Sequence, residues 1–240
     1  MTDFFRFPHT PHLAWLGDIP LRHDKQLSLQ EAKSLLSSEV LIEEKLDGAN
    51  LGFSADHKGN LRIQNRGQYL TRPYTGQFQK LATWIAPRAE DLASIVGNNL
   101  ILFGEWCAAR HSVFYDSLPD RFLLFDVYDK QAGKFWSTRR RDELADLLDL
   151  FVVPTLYKGK ITLAELSDQF INKQSRFSTE RLEGVVIKHE SDDWLLQRAK
   201  LVRPDFTQNI NQHWSQRKIE WNRFAQKRDN AAESSMVSLQ

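Results

Sequence analysis

Three short apolar runs lie close together near the start of this chain: VLIEE at 40–44, NLGFSA at 50–55 and LRIQNR at 61–66. They are separated by Asp47-Gly48 and by Lys58-Gly59-Asn60. Runs of this length bounded by turn residues read as strands, so the segment is expected to be a hairpin-rich antiparallel start. It also poses a chemical question. A lone lysine, Lys45, follows two acids, Glu43 and Glu44, at the end of the first run and just before the turn. Taken alone, a Lys-x-Asp-Gly turn is an ordinary solvated hairpin feature.

Further along, SLQEAKSLLS from Ser28 reads as a short helix, with Ser28 and Glu31 at capping-box spacing. Residues 77–96 read as a helix interrupted near Pro87. LILFGEW at 100–106 and FLLFDVYD at 122–129 are dense strands. STRRRDELADLLDLF, from Ser137, is an amphipathic helix with a good cap. A strand, a helix at 162–172 and the strands GVVIKH and WLLQRAKLV complete the body. Strands outnumber helices and do not alternate regularly with them, which predicts an α+β fold with mainly antiparallel sheets flanked by helices.

At 240 residues, with 41% hydrophobic and 26% charged content, the chain is long enough for a sizeable core and reads as globular. No run reaches the roughly 20 apolar residues that cross a bilayer, and the opening MTDFFRFPHTPHLAW lacks a basic segment followed by an apolar one. A cytoplasmic location without membrane association is expected, and no protein partner is evident. The single cysteine, Cys107, excludes an internal disulfide and reads as packing. The chain has 32 basic and 31 acidic residues, but residues 198–228 hold eight basic and only two acidic ones, so a mildly acidic body carries a basic C-terminal segment. That asymmetry points to a localised polyanion contact.

In order the chain shows KLDGAN (45–50), NRG (65–67), FGEW (103–106), FLLFDVYD (122–129), EGVVIK (183–188) and RAKLVR (198–203). This ordered set resembles the motifs of the covalent nucleotidyltransferases, which comprise DNA ligases, RNA ligases and mRNA capping enzymes. The resemblance covers residues 40–206. It is nearest to the RNA ligases, because Asn50 ends the first motif where DNA ligases and capping enzymes usually carry arginine. The opening FPHTPHL is also similar to the openings of some RNA ligase-like proteins.

The resemblance implies an ATP-dependent ligase in which Lys45 forms a lysyl-AMP phosphoramidate. Free lysine, with a pKa near 10.4, is almost wholly charged at neutral pH. Partial burial with positive charge from Lys188, Lys200 and a metal ion is therefore expected to favour the neutral amine. Lys45, Lys188 and Lys200 form the expected catalytic set. The expected nucleotide contacts are Glu43, Glu44, Lys45, Asn50, Arg66 on a phosphate, Glu105 on a ribose hydroxyl, Phe125 stacked on adenine, Lys188 and Lys200. Glu183 and Asp47 are the expected Mg²⁺ (or Mn²⁺) carboxylates. Many relatives carry two lysines one residue apart in the last motif; here Lys200 matches either of them, with Arg198 or a later group in the other role. His9, His12 and His111 have no metal-ligand spacing and are not expected to be catalytic.

The domain reading is a nucleotidyltransferase domain over 1–206 with an N-terminal extension, followed by a basic, helical extension over 207–240. Arg203, Arg217, Lys218, Arg223 and Lys227 are expected on an RNA backbone path. Trp214, Ile219, Trp221 and Phe224 are expected to face the body or bases. The expected partners are RNA ends or a nicked RNA duplex. The competing readings are DNA nick sealing, GMP transfer to an RNA end, and a catalytically silent RNA end-binding protein. The first two usually use an appended OB-fold domain, and the 37 residues after Arg203 are too few for one.

Overall fold

The computed structural model describes residues 4–17, 25–208 and 218–225. Nine strands form two antiparallel sheets. The first sheet has the order β7-β1-β8-β9, with β1 Val40–Lys45, β7 Thr155–Gly159, β8 Gly184–Glu190 and β9 Leu195–Val202. The second has the order β3-β2-β4-β5-β6, with β2 Ala49–Ala55, β3 Leu61–Gln64, β4 Leu100–Trp106, β5 Phe122–Asp129 and β6 Lys134–Phe135. The helices are α1 Leu29–Ser37, α2 Leu81–Ile85, α3 Ala89–Val96, α4 Thr138–Leu147, α5 Leu163–Phe170 and α6 Pro204–Gln208. No helix among the described residues is long and apolar enough to cross a membrane.

Period-two alternation explains how each sheet is used. In the first sheet Ile42, Val185, Ile187, Ala199 and Leu201 pack outward against Leu35 of α1 and Leu166 and Phe170 of α5. In the second, Leu51, Phe53, Leu102, Trp106, Phe122 and Leu124 pack outward against Leu81, Trp84, Leu92 and Leu144 of α2, α3 and α4. Burying each such side chain is worth about 1.5–3 kcal/mol. The residues between them, including Glu43, Lys45, Val186, Lys188, Lys200, Asn50 and Glu105, line a cleft bounded by both sheets.

Both sheets thus expose their chemistry to the same cleft, and one short turn joins them. The expected β1–β2 hairpin does not exist: β1 pairs with β7 and β8, whereas β2 pairs with β3 and β4. Leu46-Asp47-Gly48 carries the chain from one sheet to the other. A Cβ on Gly48 would lie 2.6 Å from the carbonyl oxygen of Trp106, so only glycine fits this close approach to β4. The β2–β3 turn does form as expected, with Gly59 at φ +80° and the Asp56 carboxylate accepting from the N–H groups of Lys58 and Asn60.

The capping box of α1 forms, with Ser28 Oγ accepting from Glu31 N and the Glu31 carboxylate accepting from Ser28 N. Ser137 precedes α4 but does not cap it. Its hydroxyl donates to the Asp192 carbonyl, and Glu190 of β8 accepts from Thr138 N and Oγ1 instead. Residues 77–96 break at Pro87 into α2, a 3₁₀ turn and α3.

The C-terminal expectation is corrected where it can be followed. Pro204–Gln208 is helical, but 218–225 runs extended, with bridges from Ala109 to Trp221 and from Leu118 to Phe224. Buried Asn222 fixes this segment by donating to the carbonyls of Cys107 and Ala109 and accepting from Tyr115 N. Three satisfied polar groups hold a strand-like path that helical periodicity did not predict. Trp214, Arg217 and Lys227 lie outside the described residues.

Candidate active site

The cleft encloses about 750 Å³. Lys45, the last residue of β1, faces Gly184 of β8 across the ladder, and its side chain is 29% exposed. Its Nζ lies 2.6 Å from Glu183 Oε1. Burial disfavours the charged amine, but the carboxylates of Glu183, Glu105 and Asp47 outweigh it and hold the Lys45 pKa above its ordinary value. The expected depression by neighbouring lysines is therefore not present. Lys45 faces acids here, and the positive charge of Lys188 is neutralised locally.

Lys188 is one member of a buried chain of charges. Its Nζ lies 2.7 Å from Glu43 Oε2 and 2.9 Å from Asp126 Oδ1, and donates to the Phe125 carbonyl at 2.8 Å. Arg141 of α4 lies 2.5 Å from Glu43 Oε1 and also donates to the Phe125 carbonyl. Arg198 of β9 pairs with the other oxygen of Asp126. This chain ties β1, β8 and β9 to β5 and α4. Glu43 and Lys188 both line the cleft, where the Glu43 carboxylate pairs with Arg141 and Lys188 and the three Lys188 donors meet Glu43, Asp126 and the Phe125 carbonyl.

Two other acids accept hydrogen bonds from neighbouring loops. The Glu44 carboxylate accepts from Ser175 Oγ at 2.6 Å and from Arg176 N at 3.0 Å. Asp47 Oδ2 accepts from the N–H groups of Ser112 and Val113 and so anchors that loop. The backbone N–H of Arg203 donates to the Glu183 carbonyl, and its Nε lies 3.5 Å from Asp205 Oδ1. Lys218 and Arg223 are exposed.

The remaining expected residues meet in the cleft. Glu105 Oε1 accepts from Gly48 N, and burial among neighbouring acids, opposed by Lys45, pushes its carboxyl up to about 8. Glu183 is buried, and burial, opposed by Lys45, pushes it up to about 7. Glu183 Oε2 and Asn50 Oδ1 are buried oxygens without a hydrogen-bond partner. Hard oxygen donors of this kind fit Mg²⁺ or Mn²⁺. Among the described residues no group of three or more His, Cys, Asp or Glu side chains is arranged to hold a metal. A cation at Glu183 would therefore complete its shell from phosphate oxygens and water, the usual Mg²⁺ arrangement. Phe125, Arg66 and Lys200 also line the cleft. The backbone of Lys200 is clamped by the N-terminal segment, with Lys200 N donating to the Pro11 carbonyl and Leu13 N donating to the Lys200 carbonyl.

Sequence reasoning missed several cleft residues. His111 lines the cleft, with Nε2 2.7 Å from Gln77 Oε1 and Nδ1 3.9 Å from Asp47 Oδ1. Burial, opposed by Asp47, lowers its pKa. Phe7 packs edge-on to Phe125, with centroids 5.2 Å apart. Asp126 carried a readable signal in its place beside Phe125, but strict alternation puts the two on opposite faces. A bulge in the β4–β5 pairing, where Phe103 faces Asp126 and Gly104 faces Leu124, turns both toward the cleft.

Two antiparallel sheets meeting at a cleft, with a lysine delivered at the end of a strand, define the nucleotidyltransferase class of fold. A family model for RNA ligase matches residues 38–202, and the chain belongs to that family. Comparison with curated proteins gives no match. Among solved structures, Naegleria gruberi RNA ligase with PPi aligns with a TM-score of 0.61 at 20% identity, covering 86% of this chain and 64% of that one. A variant of that ligase with ATP and Mn aligns at 0.60 and 15% identity, covering 88% and 59%. Another, with AMP and Mn, aligns at 0.57 and 17%, covering 85% and 63%. The likeness at these identities is one of fold, and this chain spans less than two thirds of the ligase's length.

Proposed function

We propose that the chain is an ATP-dependent RNA ligase that joins 3′-hydroxyl and 5′-phosphate ends through a lysyl-AMP intermediate on Lys45. The observation that carries this reading is the Lys45 amine at the β1 end, facing Glu183 inside a cleft large enough for a nucleotide. The Naegleria ligase structures with ATP and Mn, and with AMP and Mn, support the choice of nucleotide and metal.

In the first step the Lys45 amine, having lost a proton, attacks the α-phosphorus of ATP. An N–P bond forms, the P–O bond to the β-phosphate breaks, and pyrophosphate leaves with the electron pair. In the second, an oxygen of the RNA 5′-phosphate attacks the same phosphorus and Lys45 departs, leaving AMP joined to the RNA end. In the third, the 3′-hydroxyl attacks the 5′-phosphorus, loses its proton, and AMP leaves. Each step is displacement at phosphorus, for which positioning and charge neutralisation supply most of the rate.

Phe125 offers a face for adenine, and Glu105 is placed for a ribose hydroxyl. Lys200 on β9 and Arg66 on the opposite rim supply positive charge to the phosphates. Lys188 works at one remove, holding Glu43 and Asp126 so that the two sheets keep their spacing. Glu183, with Asn50 in the same cleft, would hold a divalent cation, which would supply charge neutralisation to the phosphates.

Sealing of nicked duplexes tests the reading. Four nicks, with RNA or DNA on either side, are compared under single turnover with ATP or GTP. ATP is expected to support sealing and GTP not. Ribose is expected to be required on the 3′-hydroxyl side, where A-like sugar geometry aligns the attack, while the 5′-phosphate strand tolerates deoxyribose. Equal sealing of the all-DNA nick would contradict an RNA-specific ligase.

A further inference from the structure

A second recess lies across Glu44 from the nucleotide cleft. It encloses about 600 Å³ between residues 173–179, Asp116–Ser117 and the start of β7. Glu44 is the partition. It contributes to the cleft, yet its carboxylate is held by Ser175 Oγ and Arg176 N from the recess wall. The two loops are tied together, since the N–H groups of Asp116 and Ser117 both donate to the Phe177 carbonyl, at 3.0 and 3.3 Å. The recess is therefore set by buried hydrogen bonds and does not depend on loose side chains.

Its charge differs from that of the cleft. Lys173 and Arg176 are exposed at its wall, and Asp116 is the one acid lining it. Several arginines elsewhere are neutralised: Arg110, Arg139, Arg141, Arg181 and Arg198 each pair with a carboxylate. Lys173 and Arg176 have no carboxylate within 4 Å among the described residues, and Lys173 lies only over the Phe170 ring, 5.0 Å from its centroid. Hydroxyls of Ser117, Thr155 and Thr179 stand in the same wall. Glu44 does act on them: its carboxylate feels both cations from inside the partition. Exposed cations with no carboxylate within 4 Å, set among hydroxyl donors, suit a phosphodiester backbone, where each phosphate neutralised releases a counterion.

The recess wall is also bonded to the loop beside the active site. Ser178 Oγ donates to the Phe114 carbonyl at 2.6 Å, and the Arg223 guanidinium lies 5.7 Å from the Phe114 ring centroid. Phe114 in turn follows the 111–113 loop that carries His111 and is bound by Asp47, two residues from Lys45. Contacts through Phe114 thus link the loop beside Lys45 with Arg223 and with the recess wall, and Arg110, paired with Glu180 and Glu220, lies over the same ring.

We propose that this recess binds backbone phosphates of the RNA strand being joined, with Lys173 and Arg176 as the contacts and Arg223 at the edge. The inference rests on the RNA ligase reading and adds a strand path to it. The test is binding of a fluorescent 5′-phosphorylated RNA oligonucleotide by the full chain across a salt series, for the wild type and the Lys173→Gln/Arg176→Gln double variant. The double variant is expected to bind about tenfold or more weakly at low salt. Its plot of log K against log salt should be shallower by roughly 1.4, the loss of two contacts to a single strand. Lys173→Arg should retain wild-type binding.

Unchanged affinity and slope in the double variant would overturn the proposal. So would a variant that binds RNA normally but loses competition by inorganic tripolyphosphate, which would make the recess a small-anion site. The two readings fail separately. RNA binding that depends on these residues in a chain that seals nothing refutes the ligase and leaves the recess standing. Efficient sealing with an unaffected double variant does the reverse.

Discussion

Lys188 has three donors and three acceptors, Glu43, Asp126 and the Phe125 carbonyl, and is 3% exposed. Removing one partner from a buried charge network leaves the others uncompensated. Lys188→Ala is therefore expected to destabilise the fold by about 3–5 kcal/mol, measured by chemical denaturation. A variant as stable as the wild type but unable to form adenylate would instead put Lys188 in direct contact with phosphate. The residue-scale lesson follows from these contacts. Lys45, Asn50 and Glu105 sit on β1, β2 and β4 and Glu183 directly precedes β8, so short motifs were enough to bring these four to one cleft. The partners of Lys188 were not legible. Arg141 lies in a helix and Asp126 on the other sheet, and the bulge beside Phe125 cancels the face that alternation assigns to Asp126. Glu43, Glu44 and Asp47 were legible as acids near the motif, but their distant partners, Arg141 and Lys188, Ser175, and the 112–113 loop, were not.

At the scale of elements, local signals survived and long-range ones did not. The capping box read at Ser28–Glu31 is closed within one helical turn, and α1 begins where it directs; Thr162 and Glu165 close α5 in the same way. The cap of α4 comes from Glu190, more than fifty residues away, so Ser137 alone gave a start without the interaction that secures it. The Lys-Leu-Asp-Gly stretch gave the turn correctly but not its partners, because a turn between two sheets and a hairpin turn share the same residues. Its glycine carries a testable consequence. A methyl group on Gly48 would sit 2.6 Å from the Trp106 carbonyl oxygen and 3.1 Å from Glu105 Cγ. Gly48→Ala should lower stability by about 1–3 kcal/mol and slow adenylate formation by shifting Glu105 relative to Lys45. Denaturant titration and a single-turnover adenylation rate check both, and wild-type values for the two would show that the crossing is not a fixed element.

For the whole molecule, the architecture gives each sheet a helix-covered outer face and turns the polar positions of both toward one cleft. The α+β antiparallel class was legible from strand density and turn spacing. The facing of two separate sheets was not, because it depends on which strands pair across the whole length of the chain. The extended packing of 218–225 through Asn222 was equally hidden, since its basic and aromatic residues fit a helix in sequence. What unites fold and chemistry is Lys45, set where the first sheet hands the chain to the second. The most direct measurement is peptide mapping by mass spectrometry after incubation with ATP and Mg²⁺ or Mn²⁺, in the wild type and in Lys45→Ala. The account predicts one AMP group, labile to acid, on the peptide that contains Lys45, and none in the variant. AMP on any other residue, or an adduct of normal yield in Lys45→Ala, would contradict it.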